Sequence, residues 1–377
     1  MLAAPARIES FVWLKDSVVY TQHLAVDRHD LWERRVDPVT ARADGEATRL
    51  VQWVGPIPGG LSGSADGRRI AVTKILSQSD VYVATQRADA TRLDDERRLT
   101  SDTRFDWPSS WTADGKELLL VSNRDGADAI FRRALSAATE VPIIHGTQNV
   151  RAPRVTPDGQ WLLYQVWPEA VVGPAKSVDL MRAPASGGPG VMVVQGRGSS
   201  GSAGIQGWSA QFPDFRCPST SSAPCVMTEE NNGEVAFTAF DPVQGRKEEV
   251  ARMAAAPGTV FWDLSPDGSR IAYVRWAWDD GHKISIVTLS NRVVRDVPVK
   301  GWTSLSSLAW AADGRRLFVV SARREGSELL HVDPDGTVTL LRKTTGRWLL
   351  ALRPSPDGRS LAFAATTSDG NVWMIER

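Results

Sequence analysis

"LSPDGSRIAYVRW", Leu264 to Trp276, joins a Pro-Asp-Gly turn to a short apolar alternation. The phrase returns as "GSADGRRIAVTK" from Gly63, "WTADGKELLLVS" from Trp111, "VTPDGQWLLYQV" from Val155, "WAADGRRLFVVS" from Trp310 and "PSPDGRSLAFAA" from Pro354. The turns are Asp66-Gly67, Asp114-Gly115, Asp158-Gly159, Asp267-Gly268, Asp313-Gly314 and Asp357-Gly358, with aspartates 48, 44, 109, 46 and 44 residues apart. The wide gap holds two periods plus an insertion of roughly 17 residues, and a fixed period of about 40 to 50 residues signals a repeat architecture. Asp-Gly marks a hairpin because glycine accepts the positive φ the turn needs.

Working outward, each unit reads as four strands. An approach strand, often with a tryptophan, leads into the turn, and an alternating strand such as Arg270-Ile271-Ala272-Tyr273-Val274 leaves it. A third strand follows a looser loop, as in "DVYVATQ" from Asp80 or "KISIVTL" from Lys283, and a polar fourth closes the unit, as in "TVTLL" from Thr337. Period-2 alternation bounded by Gly, Asp and Pro is the strand signal. Asp125-Gly126, Asp280-Gly281 and Asp369-Gly370 fall between second and third strands, and Asp44-Gly45 and Asp335-Gly336 between third and fourth. Four antiparallel strands per repeat predict an all-β fold, a single β-propeller over residues 1–377. Eight blades are expected, near 8–52, 54–100, 105–145, 150–196, 205–252, 258–299, 303–343 and 347–377, with seven as the alternative. The first is degenerate, with Lys15-Asp16 in place of Asp-Gly, and the eighth lacks a fourth strand. The N-terminal residues are expected to supply that strand, so that both termini close the ring and remove exposed edges.

The composition suits a large core: 377 residues, 42% hydrophobic and 23% charged. A formal net charge of zero gives no reason to expect nucleic acid or an anionic membrane as partner. No apolar run is long enough to span a membrane as a helix. The start "MLAAPARIES" does not read as a secretory signal. The chain is therefore expected to be cytoplasmic if complete as given, or a piece whose targeting part lies upstream.

The turn aspartates invite a reading as metal or acid groups, but an aspartate before glycine hydrogen-bonds its own turn, and six blades set them too far apart to converge. "GRGSSG" from Gly196 matches Gly-x-Gly-x-x-Gly, yet no helical pattern follows it, so it reads as a loop. Cys217 and Cys225 are the only cysteines, on two strand candidates joined by one loop. A disulfide pinning that hairpin is favoured, with a reduced buried pair as the alternative; a disulfide implies an oxidising compartment. The histidines, His23, His29, His145, His282 and His331, are scattered without metal-ligand spacing, and no Gly-x-Ser-x-Gly elbow occurs. No catalytic residue, cofactor or metal is expected. Trp107, Trp111, Trp262, Trp310 and Trp348 read as packing between blades. Loops leading into first strands would ring one mouth of a central channel, which makes Asp106, Arg151 and Asp263 the binding candidates.

The Asp-Gly phrases resemble the TolB-type propeller repeat, a relative of WD40 blades. A closer likeness is to bacterial propellers at the C-terminus of membrane-anchored sensory proteins. It is carried by "SDVYVATQRADATRLDDERRLT" from Ser79, "FRCPSTSSAPCVMTEE" from Phe215, "FTAFDPVQGRKEEVAR" from Phe237, "FWDLSPDGSRIA" from Phe261, "VKGWTSLSSLAWAADGRRLFV" from Val299 and "SDGNVWMIE" from Ser368. In that family a serine/threonine kinase or winged-helix domain precedes a membrane segment, and the propeller lies outside the cytoplasm. The resemblance implies a non-catalytic sensory or interaction propeller that takes a protein, a peptide or a small envelope ligand, is extracytoplasmic and is monomeric. The alternatives are the accessory propeller of a prolyl-oligopeptidase-type serine peptidase and a TolB-like envelope assembly component.

Overall fold

The computed structural model describes residues 7–25, 28–54, 57–87, 90–102, 104–167, 177–197, 214–219, 223–231, 233–254, 259–276 and 281–376. They form strands arranged in seven antiparallel sheets. Contacts divide the chain into two compact units, a smaller one holding 1–78, 170–172 and 367–377, and a larger one holding 79–169 and 173–366.

The smaller unit begins with a four-stranded sheet, β1 (Arg7–Trp13), β2 (Ser17–Ala25), β3 (Arg28–Val36) and β4 (Ala43–Val54), paired in chain order. β5 (Ile57–Gly63) pairs with the first part of β6 (Arg69–Gln86). Leu14, Val19, Leu31, Ile70 and Val72 are its buried cluster.

The larger unit takes the second part of β6 with β7 (Leu93–Arg98). Three sheets follow: β8 (Asp106–Trp111) to β9 (Glu117–Ser122), β10 (Ala129–Ala134) and β11 (Val141–Ile144); β12 (Asn149–Val155) to β13 (Trp161–Trp167), β14 (Ser177–Pro184) and β15 (Val191–Arg197); β16 (Phe215–Arg216) to β17 (Cys225–Asn231), β18 (Glu234–Asp241) and β19 (Gly245–Ala254). Two more are β20 (Thr259–Leu264), β21 (Arg270–Trp276), β22 (Lys283–Thr288) and β23 (Val294–Pro298), then β24 (Leu305–Trp310), β25 (Leu317–Arg323), β26 (Gly326–Val332) and β27 (Val338–Lys343). β28 (Trp348–Pro354) pairs with the first part of β29 (Ser360–Glu376), which neighbours β6.

Seven sheets therefore stand where eight units were expected. The reason lies in β6 and β29, which are 18 and 17 residues long. Each runs straight through the stretch expected to turn. Asp369-Gly370 lies inside β29 instead of at a reversal. β6, not the N-terminal residues, lies beside β29. Asp44-Gly45 is likewise inside β4; the reversal before it is held by Asp37, whose carboxylate accepts the Val39 and Thr40 N–H groups.

Six buried clusters hold the larger unit, each shared by two sheets that follow one another. One example sets Val226, Val235 and Phe237 of the β16–β19 sheet against Val260, Trp262 and Leu264 of the next. Another sets Phe318, Val320 and Leu329 of the β24–β27 sheet against Leu349, Leu361 and Phe363 of the sheet carrying β28. Such a buried leucine or phenylalanine contributes about 1.5–3 kcal/mol. First strands mix apolar with polar and charged residues, β24 being fully buried with Ser306 and Ser307 in it, whereas outer strands such as β7 and β23 carry charges toward water.

The repeated phrase builds one device. In five of the six turns a Ser or Thr two residues before the aspartate donates its hydroxyl to the carboxylate: Ser64, Thr112, Thr156, Ser265 and Ser355. The N–H two residues after the aspartate donates to it as well, in all six. The glycine takes φ between 65° and 72°. These bonds pull Asp267 down to about 2, the Ser265 hydroxyl being the largest cause.

Candidate binding site on the first strands

The first strands present side chains at a constant offset from the turn. Four residues before the turn aspartate stand Ser110, Arg154, Asp263, Ala309 and Arg353. β12, β24 and β28 each carry a one-residue bulge with a left-handed residue, Ala152, Ser307 and Ala351, at φ of 51°, 53° and 51°. Non-glycine residues rarely adopt this conformation, and bulges re-aim the side chains beyond them. In β12 and β28 the arginine follows two residues later.

Arg154 and Arg353 converge. Arg154 Nη1 donates to the Ser109 carbonyl at 3.3 Å, and Arg353 Nε donates to the same oxygen at 2.6 Å. Arg154 Nε donates to the Phe215 carbonyl at 2.9 Å, which also accepts Arg216 Nη1 at 2.8 Å. Arg216 is the hub: Nη1 donates to Asp214 at 2.7 Å, Nε to Asp263 at 3.1 Å and Nη2 to the Trp262 carbonyl at 3.3 Å. Asp263 also accepts the Trp310 N–H at 3.0 Å, and Trp111 Nε1 donates to the Arg353 carbonyl at 2.8 Å. Three guanidiniums thus face two carboxylates, and neither Arg154 nor Arg353 has an acidic partner among the described residues.

Electrostatics follow from that count. Burial first, then the charges of Arg216 and Arg353, hold Arg154 well below the usual guanidinium value. Burial and Arg216 bring Arg353 down to about 10. Burial also opposes charge on Arg216, but Asp214 and Asp263 outweigh it and raise this residue. Positive charge is therefore crowded here and incompletely compensated.

A disulfide joins Cys217 to Cys225, with Cα atoms 4.1 Å apart. It ties the two-residue β16, and with it Arg216, to the start of β17. The loop so formed sits on the next turn: Ser219 N–H donates to the Pro266 carbonyl at 2.7 Å. A Cβ at Gly268, where φ is +72°, would press on Ala223 and Pro218.

Of the three binding candidates, Asp263 belongs to this cluster. Asp106 and Arg151 lie nearer the starts of their strands. Asp106 is fully buried and faces Arg124 at 3.3 Å. Arg124 also meets Asp102 at 3.2 Å and Glu140 at 3.0 Å, and Glu140 accepts Arg133 at 2.8 Å. Asp102, Asp106 and Glu140 thus share Arg124, and Arg133 adds to Glu140. Burial, then Asp102, pushes Asp106 up to about 6 against hydrogen bonds from Ser122 and Thr100 and the charge of Arg124. Arg151 pairs with Asp128 and stacks over Trp167 at 5.3 Å.

Arg154, Arg216, Arg353 and Asp214 were not among the sequence candidates. For Arg154 and Arg353 a signal was present, since "RVTPDG" and "RPSPDG" place charge at the same offset from the turn as "DLSPDG" does; Asp214 and Arg216 precede no such turn. The Gly-rich stretch after Arg197 and Asp280 lie outside the described residues. His29 and His331 are buried singly, and among the described residues no group of His, Cys, Asp and Glu could hold a metal ion. No helix among them is long and apolar enough to cross a membrane. The tryptophans Trp111, Trp262 and Trp310 pack inside the clusters between sheets.

No family model matches the chain, and no curated protein matches it. Solved structures do. TolB from Agrobacterium tumefaciens superposes with a TM-score of 0.54 at 18% identity, over 77% of this chain and 98% of that one. TolB from Acinetobacter baumannii gives 0.51 at 14% identity, over 90% of this chain and 79% of that one. At such identities the likeness is one of fold, and the chain has a TolB-like β-propeller fold.

Proposed function

We propose that this protein is a non-catalytic binding propeller that recognises a protein or peptide partner as the sensory or interaction part of a bacterial signalling protein. In this reading the six sheets of the larger unit form a closed six-bladed ring. Its last blade is assembled from β28 and β29 inside and β6 and β7 outside. The first strands then line the central channel. The observation that carries the reading is the set of charged side chains on those strands, held in place by backbone carbonyls, bulges and a disulfide. Such preorganisation lowers the ordering cost of binding. The Cys217–Cys225 bridge supports an extracytoplasmic location, where disulfides persist.

The test is site-specific photocrosslinking in the native cell. A photoreactive residue at Arg151 should give one discrete adduct, whereas one at Val294, exposed on the outer strand β23, should give none. No adduct at Arg151, or turnover of a substrate that ceases on Asp263→Asn, would overturn the reading.

A further inference from the structure

We propose that Arg154 and Arg353 form a clamp for an oxyanion, the carboxylate or phosphate group of an acidic ligand. This rests on the binding reading above and names the chemistry that the site takes.

The first argument is redundancy. The two carbonyls that hold Arg154 each have another arginine donor: Arg353 at Ser109, and Arg216 at Phe215. No backbone acceptor would be orphaned without Arg154. A third, half-buried cation is thus kept where neither hydrogen bonding nor ion pairing requires it.

The second argument is the free donor side. Among the described residues Nη2 of Arg154 and Nη2 of Arg353 donate to no protein group. A guanidinium offers five N–H groups in a planar fork that matches carboxylate and phosphate. The two forks meet at the Ser109 oxygen, at 3.3 and 2.6 Å, and each keeps Nη2 unused.

The third argument is charge. Arg216 is saturated by Asp214 and Asp263, so the excess positive charge resides on the other two. A bound anion would complete the balance that the protein leaves open. Both arginines follow left-handed bulge residues, Ala152 and Ala351, and unusual backbone of this sort clusters at ligand sites.

The test is thermal unfolding of the full chain at matched ionic strength in chloride, acetate or inorganic phosphate. Wild type should gain stability saturably in acetate, in phosphate or in both, and the two titrations separate the carboxylate source from the phosphate source. Arg154→Met and Arg353→Lys should each raise the half-saturating concentration at least tenfold. Arg324→Gln, on the exposed β25–β26 turn, should leave it unchanged. No saturable gain in wild type, or the same gain in all variants, would overturn the proposal. If either arginine variant fails to fold, selenate soaked into wild-type crystals decides. An anomalous peak within hydrogen-bond distance of both guanidiniums supports the clamp, and a peak elsewhere or none overturns it. Should the anion fail while the Arg151 crosslink persists, the binding reading stands and only the ligand chemistry falls.

Discussion

Two charge clusters in the larger unit are near mirror images. Around Asp106 three acids meet two arginines; around Arg216 three arginines meet two acids. Asp106 of β8 belongs to the first, and Arg154, Arg216, Asp263 and Arg353, all on first strands, to the second. The acid-rich cluster can relieve its imbalance by taking up a proton, because a carboxylate raised to about 6 titrates within reach of neutral pH. The arginine-rich one has no such route, since a guanidinium brought down to about 10 still holds its proton. Burying one excess charge therefore means different things in the two places. One cluster becomes pH-sensitive, and the other remains open to an anion.

The largest effect should come from breaking the arginine-rich side at its hub. Asp263→Ala removes one of two neutralising carboxylates and the acceptor of the Trp310 N–H. Loss of one partner from a buried charged network costs about 3–5 kcal/mol, to be read from chemical denaturation at neutral pH. Little change would show that water already screens the cluster.

Removing the disulfide comes next. Cys217→Ser with Cys225→Ser frees a loop of sequence separation 8. The chain-entropy model gives about 2–3 kcal/mol for so short a loop. The same double variant should weaken anion binding, because Arg216 adjoins Cys217 on the shortest strand of the sheet.

Asp106→Asn sharpens the contrast from the acid-rich side. Ionised Asp106 is disfavoured in the folded state, so it costs nothing below its unfolded value near 3.8, and the cost grows as pH rises and is complete above about 6. The variant should therefore be more stable than wild type by about 2 kcal/mol at pH 7.5, with the gain vanishing toward pH 4. A gain independent of pH would assign it to something other than this proton.

The smallest effect is expected at Arg154. Arg154→Met in the absence of anion should shift stability by less than about 1 kcal/mol in either direction, because lost packing and relieved repulsion offset one another. Equal losses from Arg154→Met and Asp263→Ala would erase the distinction between a group the fold needs and one it only tolerates.

Much of the architecture was legible in residues. Asp-Gly with a Ser or Thr two places ahead carries its own turn, since every bond it needs lies within five residues. Alternation such as "RIAYV" sets which residues of β21 share a face, Ala272 and Val274 packing toward the β24–β27 sheet and Ile271 toward the β16–β19 sheet. The disulfide was favoured on spacing alone. The strand limits differ from the expected units at β6 and β29, where "ILSQSD" and "TTSDGN" run on as strand. A local turn signal such as Asp369-Gly370 is weak next to a ladder of backbone hydrogen bonds that a neighbouring long strand offers.

The binding candidates divide in the same way. Asp263 could be named from its place before the turn, yet its partners, Arg216 at 47 residues' distance and the Trp310 N–H at another 47, could not. By itself the sequence determined the unit: four strands and a capped turn. Only the tertiary structure decided which charged side chains meet. A hydrogen bond within a turn needs no closure of the chain, whereas Arg154 and Arg353 share the Ser109 oxygen only because packed sheets bring strands from distant parts of the chain together.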